Sequence, residues 1–241
     1  MTDKPQDARW LKEEEKNWLL QELQNDQKSR KDVQHLSIMN TIKHPKVLYL
    51  AFIYFIYQCG SLGIGYWMPQ IIKGFSSSLT HTQIGMIAMV PYIVATIAMV
   101  LWSKSSDKRN ERKMHAALPL LFAAVAMLGA GLVDNPYLSV IMISITLAGL
   151  YSFKSPFWAL PTLFLSRSTA SISIAIINSL GNLGGFFGPA MIGIVNGSSH
   201  HSTTGLLFMS FLLMAGFLMT ALIKLARQEQ HSDNACSSSK V

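Results

Sequence analysis

The sequence predicts an all-α integral membrane protein, a bundle of six transmembrane helices. Three observations predict it. Half of the 241 residues are hydrophobic and only 14% are charged, against roughly 25% charged in an ordinary soluble domain. The charges are segregated: residues 1–46 carry 17 of the 33, and residues 47–227 carry 13 in a few short clusters. Between the clusters lie uncharged apolar runs of about 20 residues, the length that crosses a ~30 Å hydrocarbon core at 1.5 Å per residue.

The first span is expected over 47–69, from Val47 to Pro69, and the second over 83–103, with Pro91 inside it. The third, 115–133, ends before Asp134–Asn135–Pro136. The fourth and fifth fall at about 138–163 and 170–195, and the sixth covers about 204–224, stopping at Lys224 and Arg227. The connections 134–137 and 196–203 are short and rich in Asn, Gly, Pro and Ser, as tight turns between antiparallel neighbours require. The domain organisation is therefore a linker over 1–45, a membrane domain over 46–227 and a disordered tail over 228–241.

Six spans put both termini on one side. That side then carries 18 of the 20 basic residues, with Lys73 opposite and Lys154 inside a span. By the positive-inside rule both termini are expected in the cytoplasm, the protein being multi-pass in a cell (inner) membrane. The net charge of +7 is then a topological signal, and nucleic acid is not an expected partner. In the linker, Trp10, Leu11, Trp18, Leu19 and Leu23 recur near helical spacing among Glu and Lys residues. They suggest an amphipathic helix, packed on the spans or offered to a partner. The start is polar and no secretory signal is expected.

Enzyme chemistry finds little support. No His/Cys cluster has metal-ligand spacing, and no G-x-S-x-G or Walker loop occurs. Neither metal nor cofactor is expected. The run Gly181–Asn182–Leu183–Gly184–Gly185–Phe186–Phe187–Gly188–Pro189 sits in an apolar span rather than in a strand-to-helix turn. Its glycines four apart are expected to let helix backbones approach in lipid.

Polar groups inside spans are costly and mark cavities or helix contacts. Lys154 lies about nine residues from the end of its span, roughly 14 Å along the axis, too deep to snorkel fully. No Asp or Glu lies at matching depth. Tyr151, Lys154, Ser155 and Trp158 share one helical face at i, i+3, i+4, i+7. A cation, a hydroxyl and two aromatics suit a small organic anion. Asn178 with Asn182 on the fifth span, and Tyr54, Tyr57, Gln58 and Ser61 on the first, form two more polar stripes. Each alone reads as an interhelical hydrogen bond; three stripes on three spans argue for a shared aqueous pathway.

The stretch from Trp102 to Lys113, with Ser106–Asp107–Lys108–Arg109–Asn110–Glu111–Arg112 at its centre, resembles the second copy of the loop motif of the major facilitator superfamily. Phe157–Trp158–Ala159–Leu160–Pro161, followed by Ala175, Asn178–Ser179, Gly181–Asn182, Gly184–Gly185 and Gly188–Pro189, is similar to its anion:cation symporter branch. Within that branch the similarity is to bacterial 4-hydroxyphenylacetate, tartrate and sugar-acid permeases. The opening Asp3 to Leu11 resembles their central linker. The resemblance implies the C-terminal half, helices seven to twelve, of a twelve-helix transporter that binds substrate between its halves.

It further implies substrate contact at Asn178 and near Ser155, Trp158 and Gln58, and a conformational brace at Asp107, Lys108 and Arg112. Lys108 stands where the motif usually has Arg, and Lys154 stands where a small or apolar residue is usual. The family's proton-coupling carboxylates and principal substrate arginine belong to the first six helices. The expected function is thus half of a proton-coupled organic-anion transporter, partnered by the bilayer and an N-terminal six-helix half. The alternative is a non-transporting binding or regulatory protein, or a relic, on the same half-fold. Expected substrate contacts are Gln58, Tyr151, Lys154, Ser155, Trp158, Asn178 and Asn182.

Overall fold

A bilayer offers no water to a bare N–H or C=O, so a spanning segment of this composition closes its hydrogen bonds within a helix. The computed structural model of the chain describes residues 13–18, 20–21, 41–75, 79–133, 135–164, 167–199 and 202–223. Among them are seven long helices and no strand: α1 (Pro45–Phe75), α2 (His81–Arg109), α3 (Lys113–Leu132), α4 (Pro136–Phe164), α5 (Arg167–Asn182), α6 (Gly184–Ser199) and α7 (Ser202–Leu222). Six stretches are long and apolar enough to cross a membrane: Pro45–Lys73, His81–Arg109, Lys113–Leu132, Pro136–Pro161, Ser171–Val195 and Thr204–Leu222. Each overlaps one expected span.

The helix starts show why the boundaries fall where they do. Thr80 opens α2 with a capping box: its hydroxyl accepts from the Gln83 N–H at 3.3 Å, and the Gln83 side chain accepts from the Thr80 N–H at 2.9 Å. Asn135 opens α4, its Oδ1 accepting from the N–H groups of Tyr137 and Leu138. Inside the spans, hydroxyls of Thr96, Ser144, Thr146 and Thr220 donate to the carbonyl four residues back. They are satisfied without a partner helix.

The fifth span differs from expectation. It is not one helix but two, α5 and α6, interrupted at Leu183. Three-residue hydrogen bonds bracket the break, Leu183 N–H to Leu180 O at 3.3 Å and Phe186 N–H to Leu183 O at 3.0 Å. The glycines do what their spacing suggests, and on both sides of the break. A Cβ on Gly181 would strike Tyr54, one on Gly184 the Phe55 carbonyl, and one on Gly188 the Cys59 backbone. Helix α6 thus lies backbone-close along α1, and α5 packs its Gly181 on the Tyr54 side chain.

Helix α1 packs against α5, α6 and α7; α3 lies between α4 and α7; α2 leans on α4. The core where α1, α3, α4 and α7 meet includes Ile53, Ile56, Leu120, Met127, Leu147, Phe153, Phe157 and Leu213. Two cross-helix hydrogen bonds tie α7 in, Tyr49 Oη to the Met219 carbonyl and Ser210 Oγ to the Ala124 carbonyl, each at 2.7 Å. Helix α2 stays the most open: Met86, Met89, Ile93, Ile97 and Leu101 all have more than half of their surface exposed.

The expected tail lies outside the described residues, as does most of the linker, including Trp10, Leu11, Leu19 and Leu23. Residues 13–18 are helical, with an exposed Trp18 and a Lys16–Glu13 ion pair at 3.3 Å.

Candidate functional site

The polar stripe of α1 meets that of α5. Gln58 Nε2 donates to Asn182 Oδ1 at 2.5 Å, and Asn182 Nδ2 donates to Asn178 Oδ1 at 3.2 Å. On either side of Asn182, Gly181 seats the Tyr54 side chain and Gly184 lets the backbone meet that of α1 at Phe55. It remains partly open to the outside: Gln58 is half-buried, and Asn178 and Asn182 are exposed.

Next to it an aromatic cluster joins α1 to α4. The Tyr54 ring lies 4.9 Å from Trp158, 5.4 Å from Phe157 and 5.4 Å from Tyr57. Tyr57 continues to Phe153 at 4.8 Å. Tyr151 is half-buried and meets Tyr92 of α2 edge-on at 6.2 Å. Lys154 and Ser155 are exposed on the same helix, and Lys154 makes no ion pair among the described residues.

The expected contacts therefore separate into an amide relay (Gln58, Asn182, Asn178), an aromatic floor (Tyr54, Trp158, with Tyr151 at its edge) and an outward pair (Lys154, Ser155). Phe153, Phe157 and Tyr92 complete the floor. Sequence reading missed them because an aromatic residue in a span carries no sign of which way it faces. Among the described residues no group of three His, Cys, Asp or Glu side chains could hold a metal ion.

The α2–α3 elbow forms a second polar centre. Arg112 donates to Asp107 at 2.5 Å and to Ser106 Oγ at 3.3 Å, and Ser106 Oγ donates to the Glu111 carbonyl at 2.9 Å. Asn110 ends α2 in the left-handed region with φ 48°, which a short polar side chain tolerates. Lys108 is exposed. The Glu111 carboxylate caps α3, accepting from the N–H of Met114 at 2.6 Å and of His115 at 3.1 Å, and it contacts His115 Nδ1 at 2.5 Å. Partial burial pushes the Glu111 carboxyl upward, but the His115 ring and the two amide donors outweigh it and hold it below the usual range. Trp102 Nε1 donates to the His115 carbonyl at 2.8 Å, and Ser105 Oγ lies 3.3 Å from His115 Nε2. The part of His115 was missed; the i, i+4 spacing of Glu111 and His115 was the available signal.

Similarity to known proteins bears on the family. The family model described as Major Facilitator Superfamily matches residues 3–189 and 50–235. Two proteins of Agrobacterium vitis, both named as tartrate transporters, are 39% identical over 223 residues, covering 92% of this chain and 49% and 51% of their own lengths. A quinolone resistance transporter of Acinetobacter baumannii is 32% identical over 229 residues, covering 94% of this chain and 52% of its own. The chain spans about half the length of the curated relatives it matches.

Proposed function

The chain belongs to the major facilitator superfamily, and from that premise we propose that it is the C-terminal half of a secondary transporter for a small carboxylate. One observation carries the reading. The amide relay Gln58–Asn182–Asn178 lies beside the Tyr54–Trp158 floor, and one turn from Trp158 on α4 stands an exposed Lys154 with no ion pair among the described residues. Amides bond carboxylate or hydroxyl oxygens, aromatic rings cover the apolar body, and a membrane-embedded ammonium supplies the counter-charge. The tartrate-transporter names of two relatives favour a hydroxylated dicarboxylate.

The face needs a second wall. In this reading an N-terminal six-helix half provides it, together with the acids that carry a coupling proton, since no Asp or Glu lies in the middle of a span here, Asp107 standing in the last turn of α2. The role is transport rather than enzymatic catalysis. Both termini lie on the cytoplasmic side of a bacterial inner membrane, and the Asp107–Arg112 pair braces one conformational state, with Lys108 exposed beside it.

Co-expression with the N-terminal six helices of an Agrobacterium vitis relative, followed by uptake of labelled tartrate and a panel of other small carboxylates, tests the reading. Saturable uptake of one of them by the pair, and none by the chain alone, is expected. A folded, co-purifying pair that moves none of them overturns it in favour of a binding or regulatory role.

A further inference from the structure

An apolar crevice of about 330 Å³ opens between α2, α3 and α4, lined by Ala98, Leu101, Trp102, Phe122, Ile145 and Ala148 among others. An apolar cavity of about 150 Å³ holds a benzene ring, so this one has room for a longer hydrocarbon segment. Leu101 and Phe122 at its rim are more than half exposed, and the crevice therefore opens outward rather than into the core.

Its α2 lining continues into charge. Ala98, Leu101 and Trp102 share a helical stripe with Ser105, Lys108 and Arg109, each step being three or four residues. Arg109 lies seven residues beyond Trp102, roughly 10 Å along the axis. Residues 104–113 carry five basic and two acidic side chains. Both acids are already engaged, Asp107 by Arg112 and Glu111 by His115 and two backbone amides. Lys104, Lys108 and Arg109 are exposed and make no ion pair among the described residues.

A second apolar crevice, of about 480 Å³ between Ile72, Leu79, Ile87 and Tyr137, lies toward the opposite end of the bundle, where Lys73 is the only basic residue. Acyl chains suit both; only the first adds a cationic rim.

We propose that the α2–α3–α4 crevice is a binding site for an anionic phospholipid, one acyl chain lying along Trp102 and the headgroup phosphate resting on Lys108 and Arg109. Basic side chains at a membrane surface draw acidic lipids, and an indole at the interface marks the depth where headgroup gives way to chain. None of its residues belongs to the amide relay or the aromatic floor, and only Lys108 is shared with the loop motif.

The test reconstitutes the full chain in nanodiscs containing equal fractions of chain-brominated phosphatidylglycerol or chain-brominated phosphatidylcholine. Quenching assigned to Trp102 by difference from Trp102→Phe is expected to be several-fold stronger with the anionic lipid. That preference should vanish in the Lys108→Gln/Arg109→Gln variant, and Ala98→Leu, which fills the crevice, should weaken quenching by both lipids. Equal quenching by the two headgroups, or a preference that survives loss of both basic residues, overturns the proposal. Should the variants fail to fold, native mass spectrometry of the unaltered chain decides. Retention of phosphatidylglycerol over phosphatidylcholine supports the site, and equal retention overturns it.

Discussion

Lys154 sits three residues after Tyr151 and four before Trp158, exposed beside an aromatic cluster and without an ion-pair partner among the described residues. A charge held in a span that long is retained at a cost of roughly 2.5–3.5 kcal/mol on insertion scales. In an assembled transporter Lys154→Met is expected to raise KM for the carboxylate or abolish uptake while membrane insertion is unchanged. Unaltered kinetics would move Lys154 to a structural role. Gln58 and Asn182 make a different prediction, because their bond joins two helices. A double-mutant cycle with Gln58→Leu and Asn182→Leu should give a coupling energy of about 0.6–2 kcal/mol in unfolding measurements; a value near zero would dissolve the relay. Both residues were legible in the sequence as costly polar groups in spans. That they bond each other was not, since helical periodicity gives the face of one helix and not the rotation of its neighbour.

Helices α5 and α6 show what spacing does and does not encode. The four-residue glycine intervals indicated close packing, and Gly184 and Gly188 do abut the backbone of α1. Gly184→Ala should lower thermal stability by about 1–3 kcal/mol, the usual cost of overpacking. Gly85→Ala on α2, where a Cβ meets nothing within 4 Å, should be neutral or gain up to ~1 kcal/mol from helix propensity. Thermal melts of the two variants check the contrast. The break at Leu183 left no sequence signal, because hydropathy averaged over a span is indifferent to one lost hydrogen bond.

At the α2–α3 elbow the sign of the pH response follows from Glu111. Its carboxyl is held below the usual range by His115 and the Met114 and His115 amides. The charged cap therefore stabilises the start of α3 at neutral pH, and the contribution is lost as pH falls through the lowered value. Hydrogen exchange at the Met114 and His115 amides should accelerate, relative to a control amide in mid-helix, on such acidification. In Glu111→Gln the protection should be weaker at neutral pH and show no step.

For the molecule as a whole, the apolar runs and their flanking charges made the number and limits of the spans legible. Chain length and composition did not reveal which helices touch, because in lipid every apolar face is equally well solvated. The arrangement predicts sidedness: cysteines introduced at Lys73 and Lys108 should label with an impermeant maleimide from opposite faces of the membrane, Lys108 only from the cytoplasm. Labelling of both from one face would refute the six-span topology.

The glycine contacts between α1 and the broken span carry a mechanical consequence. Backbones that touch with no side chain between them have nothing to slide over, and α6 touches α1 in this way at Phe55 and Cys59, while Gly181 of α5 seats the Tyr54 side chain. The three segments must then travel as one rigid lever. By contrast α4 meets α5, and α1 meets α2, only lightly. If the polar face is to open alternately toward the two sides of the membrane, Asn178, Asn182 and Gln58 move together, and the thin seams of α4 with α5 and of α1 with α2 are where the packing gives first.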